Sequence, residues 1–297
     1  MFRAADAALL PSLVRSTELA RANGRLKAGE TITGSFVGPG LGAAIFGFAP
    51  WAPAIIQAVA FALSALCLQR LPRRHEPRPG TGLTLRAEVS EGLRHLWADR
   101  TLRALAAATA LQGAGTWMLM AVLVLYSLET LHAPPVAYGV LITAYAAGSL
   151  LGAAVSTAAQ ARLGVRLALT AAALIAGLSV ISLALTRTFG VAATAMFILG
   201  VAAMTLSIIA VTLRQQRTPG HLLGRVSGAF GVLNVASGPA VAPISGLIGV
   251  HFGLPAALAV AGTCICAAAP LLATGVNSSP ESSPRPDPQP PPHPAHR

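Results

Sequence analysis

The chain has 297 residues, of which 54% are hydrophobic and only 10% are charged. A soluble domain carries about a quarter charged residues, so this composition excludes an ordinary water-soluble globular protein. The formal net charge is +11, but the arginines stand beside long apolar blocks, where they orient membrane segments. Nucleic-acid binding is therefore not expected, because little soluble surface is left for it.

The N-terminal segment has one short apolar patch that Pro11 interrupts, followed by several charged residues. This pattern is not that of a signal peptide and predicts an amphipathic segment on the membrane surface. Eight apolar blocks follow, each long enough to cross about 30 Å of hydrocarbon, which takes ~20 residues. They cover residues 28–49, 52–70, 103–127, 137–160, 165–186, 189–212, 226–250 and 254–275. The sequence therefore predicts an all-α, polytopic membrane bundle.

Basic residues are concentrated in alternate links between these blocks. The N-terminal segment carries five basic residues and the link from Arg70 to Arg103 carries eight arginines. The links after the second, fourth and sixth blocks hold arginines, whereas the other links hold almost none. The positive-inside rule then predicts that the arginine-bearing links and both termini are cytoplasmic.

Two segments are predicted to lie outside the membrane. The link 71–102 begins with a Pro/Gly-rich stretch and continues with helical periodicity, which predicts a helix along the cytoplasmic face. The tail 277–297 is rich in proline and cannot build a core, so we predict that it is disordered.

The first block contains "GSFVGPGLGA", in which Gly34, Gly38 and Gly42 recur at four-residue spacing. These glycines lie on one helical face and allow a neighbouring backbone to approach closely, while Pro39 removes a hydrogen bond and bends the helix. A second Gly-Pro pair, Gly238 and Pro239, follows at an offset of 200 residues. The offset is typical of repeated halves in secondary transporters, with chance matches in so Gly- and Ala-rich a chain as the alternative. For the glycine-proline stretch itself, the alternative is ordinary small-residue packing with an incidental kink.

Polar and aromatic residues at membrane depth are the candidate substrate contacts, because such residues are costly unless they face a cavity or a partner. They are Gln112, Trp117, Tyr126, Tyr145 and Asn234. Interhelical hydrogen bonds remain the alternative for the two amides, and interfacial anchoring for Tyr126. Glu30 is either a proton-coupling group or a headgroup-level residue beside Lys27.

Catalytic and cofactor motifs are absent from the sequence. It has no Walker sequence, no metal-ligand spacing and no paired carboxylates within the apolar blocks. The three cysteines lie in apolar segments and are interpreted as small core residues. We expect no enzymatic activity, cofactor or metal.

Five segments in this order resemble the major facilitator superfamily. They are "LPSLVRSTELARANGRL", "GPGLGA", "EGLRHLWADRTLRAL", "YGVLITAYAAGSLLGA" and "LRQQRTPGHLLGRVSGAFGVL". The nearest resemblance is to the drug- and siderophore-exporting branch that includes macrolide efflux proteins and the enterobactin exporter. Members of this family have twelve spans in two halves, so the resemblance implies that the first four helices are missing here.

The resemblance implies a domain division and two gating features. Residues 1–70 would be a remnant of the N-terminal half, 71–102 the central cytoplasmic loop, 103–276 the C-terminal six-helix half, and 277–297 the tail. The glycine-proline stretch fits the family's antiporter signature. The link "AQARLGVR" resembles the family's cytoplasmic gating loop without its acidic residue. Candidate gate residues, which are plain topology signals in the alternative interpretation, are Arg162, Gly164, Arg166, Arg214, Arg217 and Arg225.

The expected function is proton-driven efflux of an amphiphilic small molecule, such as a drug, macrolide or siderophore, across a bacterial cytoplasmic membrane. Its expected partners are the lipid bilayer, the substrate and protons. Either the chain is a fragment, through a misplaced start codon or a decayed gene, or the missing helices come from another chain. The alternative is a truncated, transport-inactive membrane protein or a partner subunit of an intact transporter.

Overall fold

The structure is a computed structural model that describes residues 18–37, 49, 51–69, 85–134, 136–220 and 222–276. In these ranges the chain forms α-helices joined by short turns. The helices, in chain order, are α1 (Leu19–Thr31), α2 (Ala52–Gln69), α3 (Leu85–Ala98), α4 (Arg100–Leu125), α5 (Val136–Leu185), α6 (Phe189–Arg217), α7 (Leu223–Phe252), α8 (Leu254–Cys266) and α9 (Ala268–Gly275). Two π-helical turns, Ile32–Val37 and Tyr126–Thr130, continue α1 and α4. The described residues are thus all-α, as the sequence predicts.

Five helical stretches of the described residues are long and apolar enough to cross a membrane. They are Arg100–Thr130, Val136–Leu185, Phe189–Arg217, Leu223–Phe252 and Leu254–Gly275. The second has 50 residues, about 75 Å at 1.5 Å per residue, which is more than twice the hydrocarbon thickness. It is broken at Gly164, whose φ of 76° and ψ of 160° belong to a backbone region that is essentially confined to glycine. The break makes two arms, residues 136–163 and 165–185, and hence six crossings.

Contacts with α6 show that the chain reverses at Gly164. On the first arm, Gly148 lies against Phe197 and Gly152 lies against Val201, so this arm runs in the same direction as α6. On the second arm, residues 168–173 share a core cluster with 206–213, and residues 176–183 share one with 192–199, so it runs in the opposite direction. The two arms are therefore antiparallel, and the six predicted spans from 103 to 275 each correspond to a helical crossing.

The core consists of two layers at different depths along the helices. The first core layer contains buried residues from 96–108, 168–173, 206–213, 222–230 and 268–276. The second core layer contains buried residues from 118–126, 141, 176–183, 192–202 and 257–265. Because successive crossings enter these layers in alternating order, they run up and down in turn. Both layers are built mainly from alanine and leucine, which lets the helices approach closely.

Charge is distributed unequally between the two ends of this bundle. The described links beside the first core layer carry eight arginines, namely Arg94, Arg100, Arg103, Arg162, Arg166, Arg214, Arg217 and Arg225. We call this the arginine-rich end. The links beside the second core layer carry Arg187 as their only arginine, together with Glu129, His132 and His251. We call this the arginine-poor end.

The first two helices differ in how they contact the bundle. Helix α1 packs on the first arm of α5 and on α6, and its buried residues are Leu19, Asn23 and Gly24. Helix α2 contains a shorter apolar stretch, Ile55–Leu66, whose large side chains are exposed. Outside the described residues lie positions 38–48 of the predicted span 28–49, the first residues of the 71–102 link and the 277–297 tail.

Candidate functional site

The structure brings together two features that the sequence singled out separately, Trp117 on α4 and Gly238 on α7. The indole ring of Trp117 lies across Gly238, so that a Cβ atom at this glycine would stand 2.9 Å from two ring atoms. Farther along the same interface, Ser245 Oγ donates a hydrogen bond of 2.9 Å to the carbonyl oxygen of Met118. Trp117 is nevertheless 46% exposed. Its ring therefore covers the α7 backbone with one part and leaves another part exposed.

Gln112 lies on the same helix between the two core layers. Its Oε1 atom is buried and has no hydrogen-bond partner among the described residues. A buried acceptor without a donor costs about 1–3 kcal/mol, so this oxygen is a good candidate for a hydrogen bond from a bound molecule. Asn234 is one helical turn before Gly238 on α7, but its side chain lies outside the described part of the structure.

The two tyrosines among the candidates lie in packed positions. Tyr126 is fully buried in the second core layer, and its hydroxyl donates a hydrogen bond of 3.1 Å to the carbonyl oxygen of Thr186. Tyr145 is partly buried and packs against the same layer. Tyr126 therefore connects the end of α4 with the turn between α5 and α6, a structural contact that the sequence did not indicate.

Replacing Tyr126 by phenylalanine should lower the free energy of unfolding by about 1 kcal/mol, because the hydrogen bond to Thr186 is lost while the ring is kept. Thermal unfolding of the purified protein in detergent measures the change. Tyr138→Phe is the matched control, since no hydrogen bond of its hydroxyl is described. A lower transport rate at unchanged stability would instead place Tyr126 at the substrate.

A buried polar network joins α1 to α6 near the arginine-rich end. Asn23 Nδ2 donates hydrogen bonds to Thr212 Oγ1 at 3.1 Å and to Gln215 Oε1 at 2.7 Å. All three side chains are at most 5% exposed. Next to them, Gly24 allows close approach, because a Cβ atom there would stand 3.3 Å from the carbonyl oxygen of Ala153. We call the three polar residues the α1 latch.

Sequence reasoning missed the α1 latch because its members are separated by 189 and 192 positions. Asn23 stands in a segment that was interpreted as lying on the membrane surface. Thr212 and Gln215 stand at the end of a span in which only the arginines were predicted to have a gating role. The burial of Asn23, which points to partners because an amide is buried only where it finds them, is visible only in the structure.

The arginines predicted as gate residues fall into two groups. Arg214 lies over the ring of Phe230, with its guanidinium carbon 4.6 Å from the ring centroid. Arg217 Nη1 is 3.9 Å from Asp99 Oδ2, and Asp99 also caps α4 by accepting from the backbone N–H groups of Thr101 and Leu102. These contacts fix the end of α6 against the starts of α4 and α7, at the arginine-rich end.

Arg225 belongs to the same group, whereas the arginines that flank Gly164 do not. The backbone and Cβ of Arg225 lie against Gly92, so that a Cβ atom at this glycine would stand 2.9 Å from that of Arg225. Arg162 and Arg166 are exposed on either side of Gly164. On α1, Glu30 is paired with Lys27 at 2.7 Å on the exposed surface.

The described residues contain no group of three or more His, Cys, Asp or Glu side chains that could hold a metal ion. Cys264 Sγ faces the carbonyl oxygen of Leu111 on α4, while Cys266 Sγ faces that of Leu174 on α5. The two thiols therefore point toward different helices and do not form a joint ligand pair.

One surface groove has a volume of about 260 Å³ and lies between the second arm of α5 and the start of α6. Its lining residues are Ser182, Gly190, Val191, Thr194, Ala195 and Ile198. The groove is open and contains none of the predicted substrate contacts. We therefore place the candidate site on α4, where a buried unpartnered polar atom and an exposed aromatic ring occur five positions apart.

Comparison with known proteins identifies the family. No curated protein matches the chain. The sequence model of the Major Facilitator Superfamily matches residues 1–243 and, a second time, residues 105–296. The two matches together extend over nearly the whole sequence, and the six alternating crossings agree with such a membrane bundle. The chain belongs to the Major Facilitator Superfamily and is therefore a membrane protein of the secondary-transporter class.

Proposed function

We propose that this chain is part of a proton-driven exporter of an amphiphilic small molecule, such as a drug, macrolide or siderophore, in a bacterial cytoplasmic membrane. The observation that carries the proposal is the buried, unpartnered Oε1 of Gln112 on the same helix as the half-exposed ring of Trp117. An amide that can exchange hydrogen bonds and an aromatic face together suit a ligand with one polar and one apolar part. The resemblance to the drug- and siderophore-exporting branch supports export as the direction of transport.

The charge asymmetry supports an orientation. The positive-inside rule assigns the arginine-rich end to the cytoplasm, and both termini with it. The α1 latch and the contacts of Arg214 and Arg217 would then close the cytoplasmic side of the bundle. The proposed mechanism is alternating access, in which the two halves rock about a midplane cavity and these contacts break when the cytoplasmic side opens.

The position of acidic residues constrains where a proton could be carried. The sequence contains no Asp or Glu between Arg100 and Leu128 or between Leu131 and Val276. The six crossings therefore have no carboxylate at membrane depth. A proton-coupling carboxylate would have to be Glu30 on α1 or a residue of helices that complete the first half. In the proposal, those helices come from sequence upstream of Met1 or from a second polypeptide, and the upstream reading frame distinguishes the two sources.

Gln112→Leu should reduce uptake of a fluorescent amphiphile into inside-out proteoliposomes about tenfold at low substrate concentration, which corresponds to the loss of ~1.4 kcal/mol of binding. The protein tested is the complete product of the reading frame. Gln160→Leu is the matched control, because Gln160 also has a buried, unpartnered Oε1 but lies next to the arginine-rich end. Equal losses in both variants would contradict the assignment of Gln112 to the substrate.

The same assay tests the coupling ion. Dissipating the proton gradient with an ionophore should abolish uptake against a concentration gradient. Uptake that ignores the gradient would refute proton antiport. Absence of uptake with any amphiphile, by a protein shown to be folded, would favour the transport-inactive alternative.

A further inference from the structure

The junction between α3 and α4 exposes an apolar pair surrounded by arginines. One row of α3 faces the bundle, with Gly92 against Arg225 and Leu96 only 3% exposed in the first core layer. The neighbouring row faces outward, where Leu93 is 38% exposed and Trp97 is 64% exposed. A helix that already packs one face on the protein has no structural need for a second apolar row.

Three exposed arginines surround this apolar pair. Arg94 stands on α3, Arg100 is the first residue of α4, and Arg103 follows one turn later. Arg103 Nη1 donates a hydrogen bond of 2.8 Å to the carbonyl oxygen of Trp97, which fixes the tryptophan backbone at the junction. We call Leu93, Arg94, Trp97, Arg100 and Arg103 the elbow patch.

The acid at the junction of α3 and α4, Asp99, does not neutralise this patch. Asp99 accepts hydrogen bonds from the backbone N–H groups of Thr101 and Leu102 and lies near Arg217, which is on α6. Its carboxylate is thus used within the protein, while the side chains of Arg94 and Arg100 have no hydrogen bond or ion pair in the described part of the chain. The elbow patch is therefore positive as well as partly apolar.

The length of the following crossing places the elbow patch at the membrane surface. Arg100–Thr130 has 31 residues, about 46 Å of helix, whereas the hydrocarbon core is about 30 Å thick. The ends of this crossing thus extend into the headgroup regions. Tryptophan is enriched at that level, and arginines there attract anionic lipids.

We propose that the elbow patch binds anionic phospholipids, with Arg94 and Arg100 pairing with headgroup phosphates and with Leu93 and Trp97 inserted at the boundary of the acyl chains. The negative charge of the lipid complements the three arginines, and its glycerol region provides the apolar boundary that the exposed pair requires. This inference depends on the membrane location of the chain and not on its proposed transport activity.

The test uses the full chain in lipid nanodiscs, with Trp51 and Trp117 replaced by phenylalanine so that Trp97 is the only tryptophan. One preparation contains about one third phosphatidylglycerol brominated near the top of its acyl chains, and the other contains the same fraction of brominated phosphatidylcholine. We expect Trp97 fluorescence to be quenched at least twofold more by the anionic lipid. Equal quenching by the two lipids, or no quenching by either, would overturn the proposal.

Two double variants separate this site from general attraction to the arginine-rich end. Arg94→Gln with Arg100→Gln should weaken the preference for the anionic lipid about twenty-fivefold, since each arginine near an anionic surface contributes about fivefold. Arg162→Gln with Arg166→Gln removes the same charge from exposed positions beside Gly164 and should leave the preference unchanged. If both pairs lower the preference equally, the elbow patch is not a specific lipid site.

Discussion

Replacing Gly148 by alanine should strongly destabilise the protein. A Cβ atom at this position would overlap the carbonyl oxygen of Phe197 and stand 2.8 Å from its carbonyl carbon. Both are backbone atoms of α6, so the clash is relieved only if the helix axes separate. Gly152 faces Val201 in the same way one turn later.

The clash extends over a continuous interface, which is why the expected effect is large. Gly200 on α6 projects into the first arm of α5, where a Cβ atom would overlap the carbonyl oxygen of Tyr145 and stand 2.9 Å from the backbone nitrogen of Ser149. Overpacking of a close interface costs about 1–3 kcal/mol per site or more, out of a total stability of about 5–15 kcal/mol. We expect Gly148→Ala with Gly152→Ala to lower the free energy of unfolding by about 2–6 kcal/mol.

Size-exclusion chromatography of a fluorescent fusion measures the fraction of folded protein, and thermal unfolding gives the stability of what remains. Gly139→Ala is the matched control, because it lies on the same arm of α5 with open space around the added methyl group. Alanine there should be neutral or stabilise the helix by up to about 1 kcal/mol. Folded protein at the control level in the Gly148 variant would show that the two helices are not in such close contact.

The six crossings could be predicted because the length of an apolar run and the charge of its flanks determine a membrane span directly. The partners of each helix could not be predicted in the same way. "GSLLG" at Gly148 to Gly152 has the same four-residue spacing as the stretch from Gly34 to Gly42, which the family signature favoured. Spacing identifies a face of a helix, but it does not identify the helix that packs on that face.

The contacts of individual site residues could not be predicted from the sequence either. Gln112 and Trp117 were chosen for polarity and aromaticity at membrane depth, and the structure leaves an unpartnered atom on the first and an open ring on the second. Tyr126 was chosen by the same rule and lies in the core, because depth along a helix says nothing about which side of it is covered. Gly38, Pro39 and Gly42 lie outside the described residues, so their role in closing the cavity stays a prediction.

The distribution of charge predicted which links lie at the same end of the bundle, but it did not predict the contacts that close that end. The sequence predicted gate roles for the arginines of two links expected to be cytoplasmic, 162–166 and 214–225, with the first link resembling the family's gating loop. In the structure, Arg217 approaches the cap residue Asp99 and Arg214 lies over Phe230, while the buried hydrogen bonds between α1 and α6 come from uncharged residues. Amides and hydroxyls can be buried at a smaller cost than guanidinium groups, so they suit a contact that must break and form repeatedly.

Asn23→Ala should open the arginine-rich end of the protein. The substitution removes the donor of the hydrogen bonds to Thr212 Oγ1 and Gln215 Oε1, in a place where both acceptors are buried. Loss of a buried hydrogen-bond partner costs about 1–3 kcal/mol, so the ratio of open to closed molecules should rise between about fivefold and a hundredfold. Asn23→Asp should have a larger effect, because a carboxylate cannot donate to Gln215 Oε1 and would place a negative charge in a buried position.

Distances between spin labels at Arg25→Cys on α1 and Gln216→Cys on α6 measure this opening in a protein whose native cysteines have been replaced. Both positions are exposed and adjacent to the α1 latch. Lys27→Ala is the matched control, since it breaks only the exposed pair with Glu30, which contributes about 0–1 kcal/mol. A longer distance in the Asn23 variants with an unchanged distance in the control would establish the latch as the contact that holds this end closed. If all variants keep the short distance, α1 is held by its packing at Gly24 and the polar network has no gating role.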